Sequence, residues 1–175
     1  MDTVENHTDT IPELDIELPE VTQVGFVVED IEDAIERFRL ILGLDSWEVY
    51  RFEPPELSDT WYRGEPTAYS MRIAHTYAGE TNLEFIEPLQ GPSVYADHLD
   101  EHGEGIHHLK SSWDDAARTY EVVEAFEDAG IPVLQRGSYM NSEFWYFDTA
   151  EVLNGLVFET SIRRMGERTP EYTLP

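Results

Sequence analysis

The chain has 175 residues and carries 37 acidic side chains against 11 Lys and Arg, a formal net charge of −26. Charge of that sign repels phosphate backbones and anionic lipid surfaces, which argues against nucleic-acid and membrane-surface roles. The length suits one ordinary domain, or two small units sharing a sheet. Cysteine is absent, which removes disulfides, thiolate metal sites and cysteine nucleophiles together. No run approaches the roughly 20 apolar residues of a membrane span, and the N-terminus shows neither a basic nor an apolar signal region, so a cytoplasmic protein is expected. Lys110 is the only lysine. The balance resembles the acidic proteomes of salt-in halophiles, where ionic strength screens self-repulsion. Most carboxylates then serve solvation, and a functional one has to be singled out by its position.

In chain order, residues 1–20 hold seven acidic residues and no basic ones, and read as an extended or disordered leader. Val21–Val28 is β-branched and apolar, hence a strand. Asp30 stands where an N-cap belongs, and Ile31, Ala34, Ile35, Phe38, Ile41 and Leu42 recur at helical spacing up to Gly43, the expected stop. Trp47–Phe52 reads as a second strand. Glu53–Pro66 reads as irregular, broken by Pro54, Pro55, Gly64 and Pro66. With Trp61 and Tyr62 it is a candidate lid. Strands are expected at about Ala68–His75 and Asn82–Ile86 around an Ala78–Gly79 turn, completing a β-α-β-β-β module over residues 21–90.

Residues 91–104 read as a connector with a short helix around Val94–His102. The pattern then recurs. Gly105–Ser112 reads as a strand, Asp114 or Asp115 as the cap of a helix ending at Gly130, and Ile131–Arg136, Glu143–Asp148 and Leu156–Ser161 as three more strands. The second module spans residues 105–163, with a tail over 164–175. Gln23 precedes Asp30 by seven residues and His108 precedes Asp115 by seven. Gln23 to Gly43 is 20 residues and His108 to Gly130 is 22, while Leu83-Glu84-Phe85 matches Phe158-Glu159-Thr160. Duplicated units of this kind pair their sheets into one shared structure. The expected class is α+β, two tandem β-α-β-β-β modules in a cup-shaped, mostly antiparallel sheet.

Glu84 lies in the apolar run Leu83–Ile86 and Glu159 in Leu156–Glu159. A carboxylate buried alone among such neighbours costs several kcal/mol, so each needs a partner or a metal. One imidazole with oxygen donors suits a divalent ion. His107 and His108 fall on opposite faces by strict alternation, and the seven-residue offset selects His108. His75, His98 and His102 read as solvent-facing. Phe144–Phe147 is a strongly aromatic strand, suited to core packing or a substrate wall. Arg51, Arg63, Arg72 and Arg136 are available for ion pairs, or for a substrate anion.

The segments QVGFVVEDIEDAIERFRLILGL (23–44), NLEFIEPLQGPS (82–93), GEGIHHLKSSWDD (103–115) and NGLVFETS (154–161) resemble the vicinal-oxygen-chelate superfamily, which includes glyoxalase I, methylmalonyl-CoA epimerases, extradiol dioxygenases and bleomycin-resistance proteins. The resemblance implies one divalent ion (zinc, nickel, cobalt, manganese or magnesium) held by Gln23, Glu84, His108 and Glu159. It also implies a small carbonyl or thioester substrate, and a single chain or a homodimer. The ligand set resembles glyoxalase I, whereas the wording LEFIEPLQGPS and GEGIHHLK is closer to the epimerases. The implied chemistry is that of a lyase or isomerase: proton abstraction beside a metal-polarised carbonyl, with Glu159 as first-choice base and Glu84 as second. A ring-cleaving dioxygenase needs a two-His, one-carboxylate triad, which Gln23 weakens. A non-catalytic binding protein of the same fold is the other alternative.

Overall fold

The computed structural model describes residues 11–140, 142–163 and 168–175. Residues 1–10 of the expected leader and 164–167 of the expected tail lie outside the described residues. The elements run β1 (Gln23–Val27), α1 (Ile31–Leu42), β2 (Trp47–Phe52), β3 (Leu57–Tyr62), β4 (Glu65–Pro66), β5 (Ser70–Ala78) and β6 (Thr81–Gln90). They continue with α2 (Val94–His102), β7 (Gly105–Lys110), α3 (Ala116–Asp128), β8 (Val133–Tyr139), β9 (Ser142–Phe147), β10 (Val157–Arg163) and β11 (Tyr172–Leu174). No helix among the described residues is long and apolar enough to cross a membrane.

The helices form where their caps and apolar stripes allow. The Asp30 carboxylate accepts from the Asp33 N–H at 2.8 Å, a cap worth about 1 kcal/mol. Gly43 adopts the left-handed conformation (φ 68°) and its N–H closes on the Arg39 carbonyl, ending α1 where expected. Ile31, Ala34 and Ile35 of α1 pack on Trp47, Val49, Ala74 and Phe85 of the sheet. In the second module, Val122, Val123 and Phe126 of α3 pack on Trp145, Phe147, Phe158 and Ile162, and Leu14 and Ile16 lie against the same cluster. Each fully buried aliphatic or aromatic side chain contributes about 1.5–3 kcal/mol.

All the strands join one mixed sheet in the order β11-β2-β5-β6-β1-β7-β10-β9-β8-β3-β4. The two modules meet at the antiparallel β1–β7 pair, where Gln23 faces Lys110 and Gly25 faces His108. The outer strands curl back on each other. The Phe52 ring of β2 stacks on Tyr139 of β8 with centroids 3.7 Å apart, and the Tyr139 hydroxyl donates to the Arg51 carbonyl. The result is a half-barrel whose concave face encloses a third cluster, including Phe52, Met71, Ile73, Tyr95, Phe144 and Tyr146.

The segment expected to be irregular, 53–66, instead forms the β3–β4 hairpin, and β3 pairs antiparallel with β8 of the other module. None of its residues lines the cavity of the cup, so the lid expectation is corrected: ladder hydrogen bonds fix this segment as a sheet extension.

Candidate metal centre

The centre is built by register. On β6, alternation puts Asn82, Glu84 and Ile86 inward and buried. On β10, Glu159 is 2 % exposed, and Glu84 is 6 % exposed. Between them the His108 ring is fully enclosed, its Nε2 lying 3.3 Å from Glu84 Oε2 and 3.1 Å from Glu159 Oε2. Gln23 Nε2 stands 3.5 Å from the same imidazole nitrogen, and turning the amide over presents Oε1 there. The structure therefore brings Gln23, Glu84, His108 and Glu159 to one point.

The pairing across the modules is pseudo-symmetric. Gly25 is opposite Glu84 on β6, and Lys110 is opposite Glu159 on β10. On the other side of each glutamate, His75 faces Glu84 and Tyr146 faces Glu159. The two halves thus correspond as Gln23 with His108, Gly25 with Lys110, His75 with Tyr146, and Glu84 with Glu159. Gly25 has a specific reason to lack a side chain, since a Cβ there would lie 1.8 Å from His108 Cε1.

Charges at the centre compensate one another. Burial alone would depress the His108 pKa, but its hydrogen bonds with Glu159 and Glu84 raise it to about 9, so the metal-free ring is an imidazolium. Burial would likewise raise the Glu84 pKa, yet hydrogen bonds to His108 and His75 hold it well below the usual carboxylate range. Burial keeps His107 neutral, and its Nδ1 lies 3.0 Å from His108 Nδ1. A neutral His107 accepts the His108 Nδ1–H, which leaves Nε2 aimed at the carboxylates.

The residues fit a divalent ion. Glu159 Oε2 is buried and shares the one His108 Nε2 with Glu84 Oε2, at 3.1 and 3.3 Å. One donor atom each from Glu84, His108 and Glu159 lies within 4.8 Å of the others. One imidazole with two carboxylates and an amide is a donor set for a borderline or hard cation. Without an ion, the single Nε2–H of a protonated His108 is shared between two buried carboxylates.

A cavity of about 330 Å³ opens over this centre. Phe52, Met71, Ile73, Tyr139 and Phe144 supply its apolar wall, and Gln23, Glu84, Lys110, Glu159 and Ser161 its polar one. The aromatic strand splits by face: Phe144 and Tyr146 line the cup, whereas Trp145 and Phe147 pack under α3.

Two sequence expectations change here, for His75 and His107, and the arginines take the ion-pairing alternative. His75, read as solvent-facing, lines the cavity, with its Nε2 2.8 Å from Glu84 Oε1. His107 and His108 are not on opposite faces. The β1–β7 register shifts beside Gly25, so that His107 is an extra residue on β7 and both rings are buried against Tyr146. None of the four nominated arginines lines the cup. Arg51, Arg63 and Arg72 pair with Glu171, Asp97 and Glu32, and Arg136 lies over Trp61. Among the described residues, the cations in the cavity wall are Lys110 and Arg168, neither nominated for the site from the sequence.

The chain belongs to the Glyoxalase/Bleomycin resistance protein/Dioxygenase superfamily, whose sequence model matches residues 22–147. Among solved structures it resembles a hypothetical protein from Bacillus halodurans, with TM-score 0.60 and 18 % identity over 86 % of this chain and 98 % of that one. It also resembles methylmalonyl-CoA epimerase from Mycobacterium tuberculosis, with TM-score 0.55 and 20 % identity over 82 % and 87 % of the two chains. A variant Streptomyces coelicolor methylmalonyl-CoA epimerase in complex with 2-nitronate-propionyl-CoA has TM-score 0.53 and 22 % identity over 83 % and 97 %. At these identities the likeness establishes the fold. No curated protein matches the sequence.

Proposed function

We propose that the protein is a metal-dependent lyase or isomerase that moves a proton next to a polarised carbonyl. The observation that carries this reading is the buried Glu84–His108–Glu159 cluster at the cavity, in which one imidazole nitrogen faces two buried carboxylates. Gln23, Glu84, His108 and Glu159 are the residues that would hold the ion. Bound there, a divalent ion supplies Lewis-acid polarisation of a substrate carbonyl.

The chain's own residues supply the rest. Glu159 takes the proton from the adjacent C–H at Oε2 and returns it to the neighbouring carbon or the opposite face, while Lys110 holds Oε1 at 3.1 Å. Glu84 is the weaker candidate, because His75 and His108 both stabilise its ionised form. His107 orients His108, and the apolar wall keeps water from the reacting carbon. The epimerase neighbours, one of them in complex with 2-nitronate-propionyl-CoA, favour a thioester substrate.

The test is solvent deuterium exchange into 2-methylmalonyl-CoA and into the hemithioacetal of methylglyoxal after loading with zinc, nickel, cobalt, manganese or magnesium. Exchange that disappears in Glu159→Gln supports the reading. Stoichiometric metal without exchange into any carbonyl compound sinks it. Undiminished ligand binding by metal-free protein would instead mark a sequestering module.

A further inference from the structure

The pseudo-symmetry of the cup fails most sharply at one pair. Where β1 has Gly25, β7 has Lys110, the only lysine in a chain of 175 residues. The equivalent position in the first module carries no side chain at all, so the repeat itself does not require a cation there. Lys110 points into the cup, its side chain is 18 % exposed, and its Nζ lies 3.1 Å from Glu159 Oε1. An ammonium has three N–H donors, and this contact uses one. The remaining donors stand beside the atom proposed to take the proton.

The surroundings define what those donors can serve. Among the described residues, four carboxylates line the cavity, Glu80, Glu84, Glu143 and Glu159, against two cations. Arg168 donates to Ser142 Oγ at 2.6 Å and lies over the Phe52 and Tyr139 rings at the closing side of the cup. Of the two, Lys110 is the one in contact with the metal centre, through Glu159. A neutral substrate has no use for it, and an anionic one entering this acidic cavity needs it. A compact ammonium suits a single carboxylate oxygen better than the planar fork of arginine, the basic residue used almost everywhere else in this chain.

We propose that Lys110 anchors a carboxylate on the substrate, so that the cup takes a small carbonyl compound bearing an acid group. This specificity role rests on the proton-transfer reading above. With the carboxylate on Lys110 Nζ, the carbon next to it is brought against Glu159. The cavity of about 330 Å³ is at the small end of ligand pockets and holds the reacting portion of such a molecule.

The test compares acetoacetate with its ethyl ester, which share the carbonyl and differ in charge. Both are titrated calorimetrically into metal-loaded wild type, Lys110→Met, Lys110→Arg and Arg168→Met, with metal content measured in each. Wild type is expected to prefer the anion. Lys110→Met should bind acetoacetate about tenfold or more weakly, in line with a lost charged hydrogen bond, and bind the ester unchanged. Lys110→Arg should keep the preference for the anion. The inference is overturned if wild type does not bind acetoacetate, if Lys110→Met keeps the preference, or if Arg168→Met alone loses it. Exchange at the acidic C–H in heavy water is read separately. Lysine-dependent binding without exchange removes the proton-transfer reading and leaves the anchor standing, whereas exchange without charge preference does the reverse.

Discussion

Gly25 is the position where one added methyl group should dismantle the centre without removing any polar group. In Gly25→Ala the new Cβ would lie 1.8 Å from His108 Cε1, 2.1 Å from Nε2 and 2.3 Å from Nδ1. A methyl group pressed against three of the five ring atoms is not relieved by a small tilt, and Tyr146 and His107 pack against the same ring. The imidazole must leave, and Glu84 and Glu159 then remain buried without their shared cation. Removing one partner of a buried ion pair costs about 3–5 kcal/mol. In a domain of this size each kcal/mol shifts Tm by about 2–4 °C, so metal-free Gly25→Ala should melt about 6–20 °C lower. Its metal stoichiometry, measured by plasma mass spectrometry after reconstitution, should fall in parallel. The decisive comparison is a double-mutant cycle with His108→Ala, which removes the ring that the methyl group strikes. Gly25→Ala should cost little in that background. If its cost is the same with and without the imidazole, the contact is not the cause and the reasoning fails.

Three further outcomes follow from the same geometry. In chelated protein, His108 has a folded pKa of about 9, above its unfolded value, so its contribution to stability is complete below about pH 6.5 and is lost as pH rises through 9. Tm of the chelated wild type should fall across that window while His108→Gln stays flat, and equal slopes would refute the assignment. His75→Phe should weaken metal binding by about 10–100-fold through loss of the Glu84 Oε1 contact, with partial recovery in His75→Gln; unchanged affinity in His75→Phe would show that His75 does not position Glu84. The net charge of −26 makes self-repulsion a standing cost, so Tm should climb as KCl is raised from 0.1 to about 2 M, and a flat response would show that ion pairs have already cancelled it.

How far the sequence reveals this arrangement depends on whether each feature is local. The α1 cap and stop, Asp30 and Gly43, are set within a few residues of the helix and were legible at once. Glu84 and Glu159 were legible because an ionisable residue in an apolar run is costly wherever the run goes. The β3–β4 hairpin was not, since its pairing partner β8 lies in the other module and its own residues read as breakers. His107 was misplaced because alternation assumes an unbroken ladder, and β7 has a register shift beside Gly25. His75 was within reach. The Gly79-Glu80 turn pairs Ala78 with Thr81, and counting back along the ladder sets His75 against Glu84. The strand ending expected at His75 hid that register.

Duplication alone would give a centre with two equivalent halves, and proton transfer needs halves that differ. The substitutions at pseudo-equivalent positions supply the difference. Glu84 has an imidazole across the strand, from His75, and an empty position at Gly25, which His108 fills. Glu159 has the Tyr146 phenol and the Lys110 ammonium in the corresponding places. Burial holds the Tyr146 phenol neutral, so it adds no charge, while Lys110 adds one at the cavity wall. Glu84 is thus fixed between two histidines that favour its ionised form, which suits a permanent ligand. Glu159 has one oxygen beside the Lys110 ammonium and the other 3.1 Å from His108 Nε2, and on the proposed reading it is the carboxylate that takes the proton. The acidic surface surrounds both glutamates equally. On the proposed reading, what separates a ligand from a base is the identity of four neighbours, fixed by strand register.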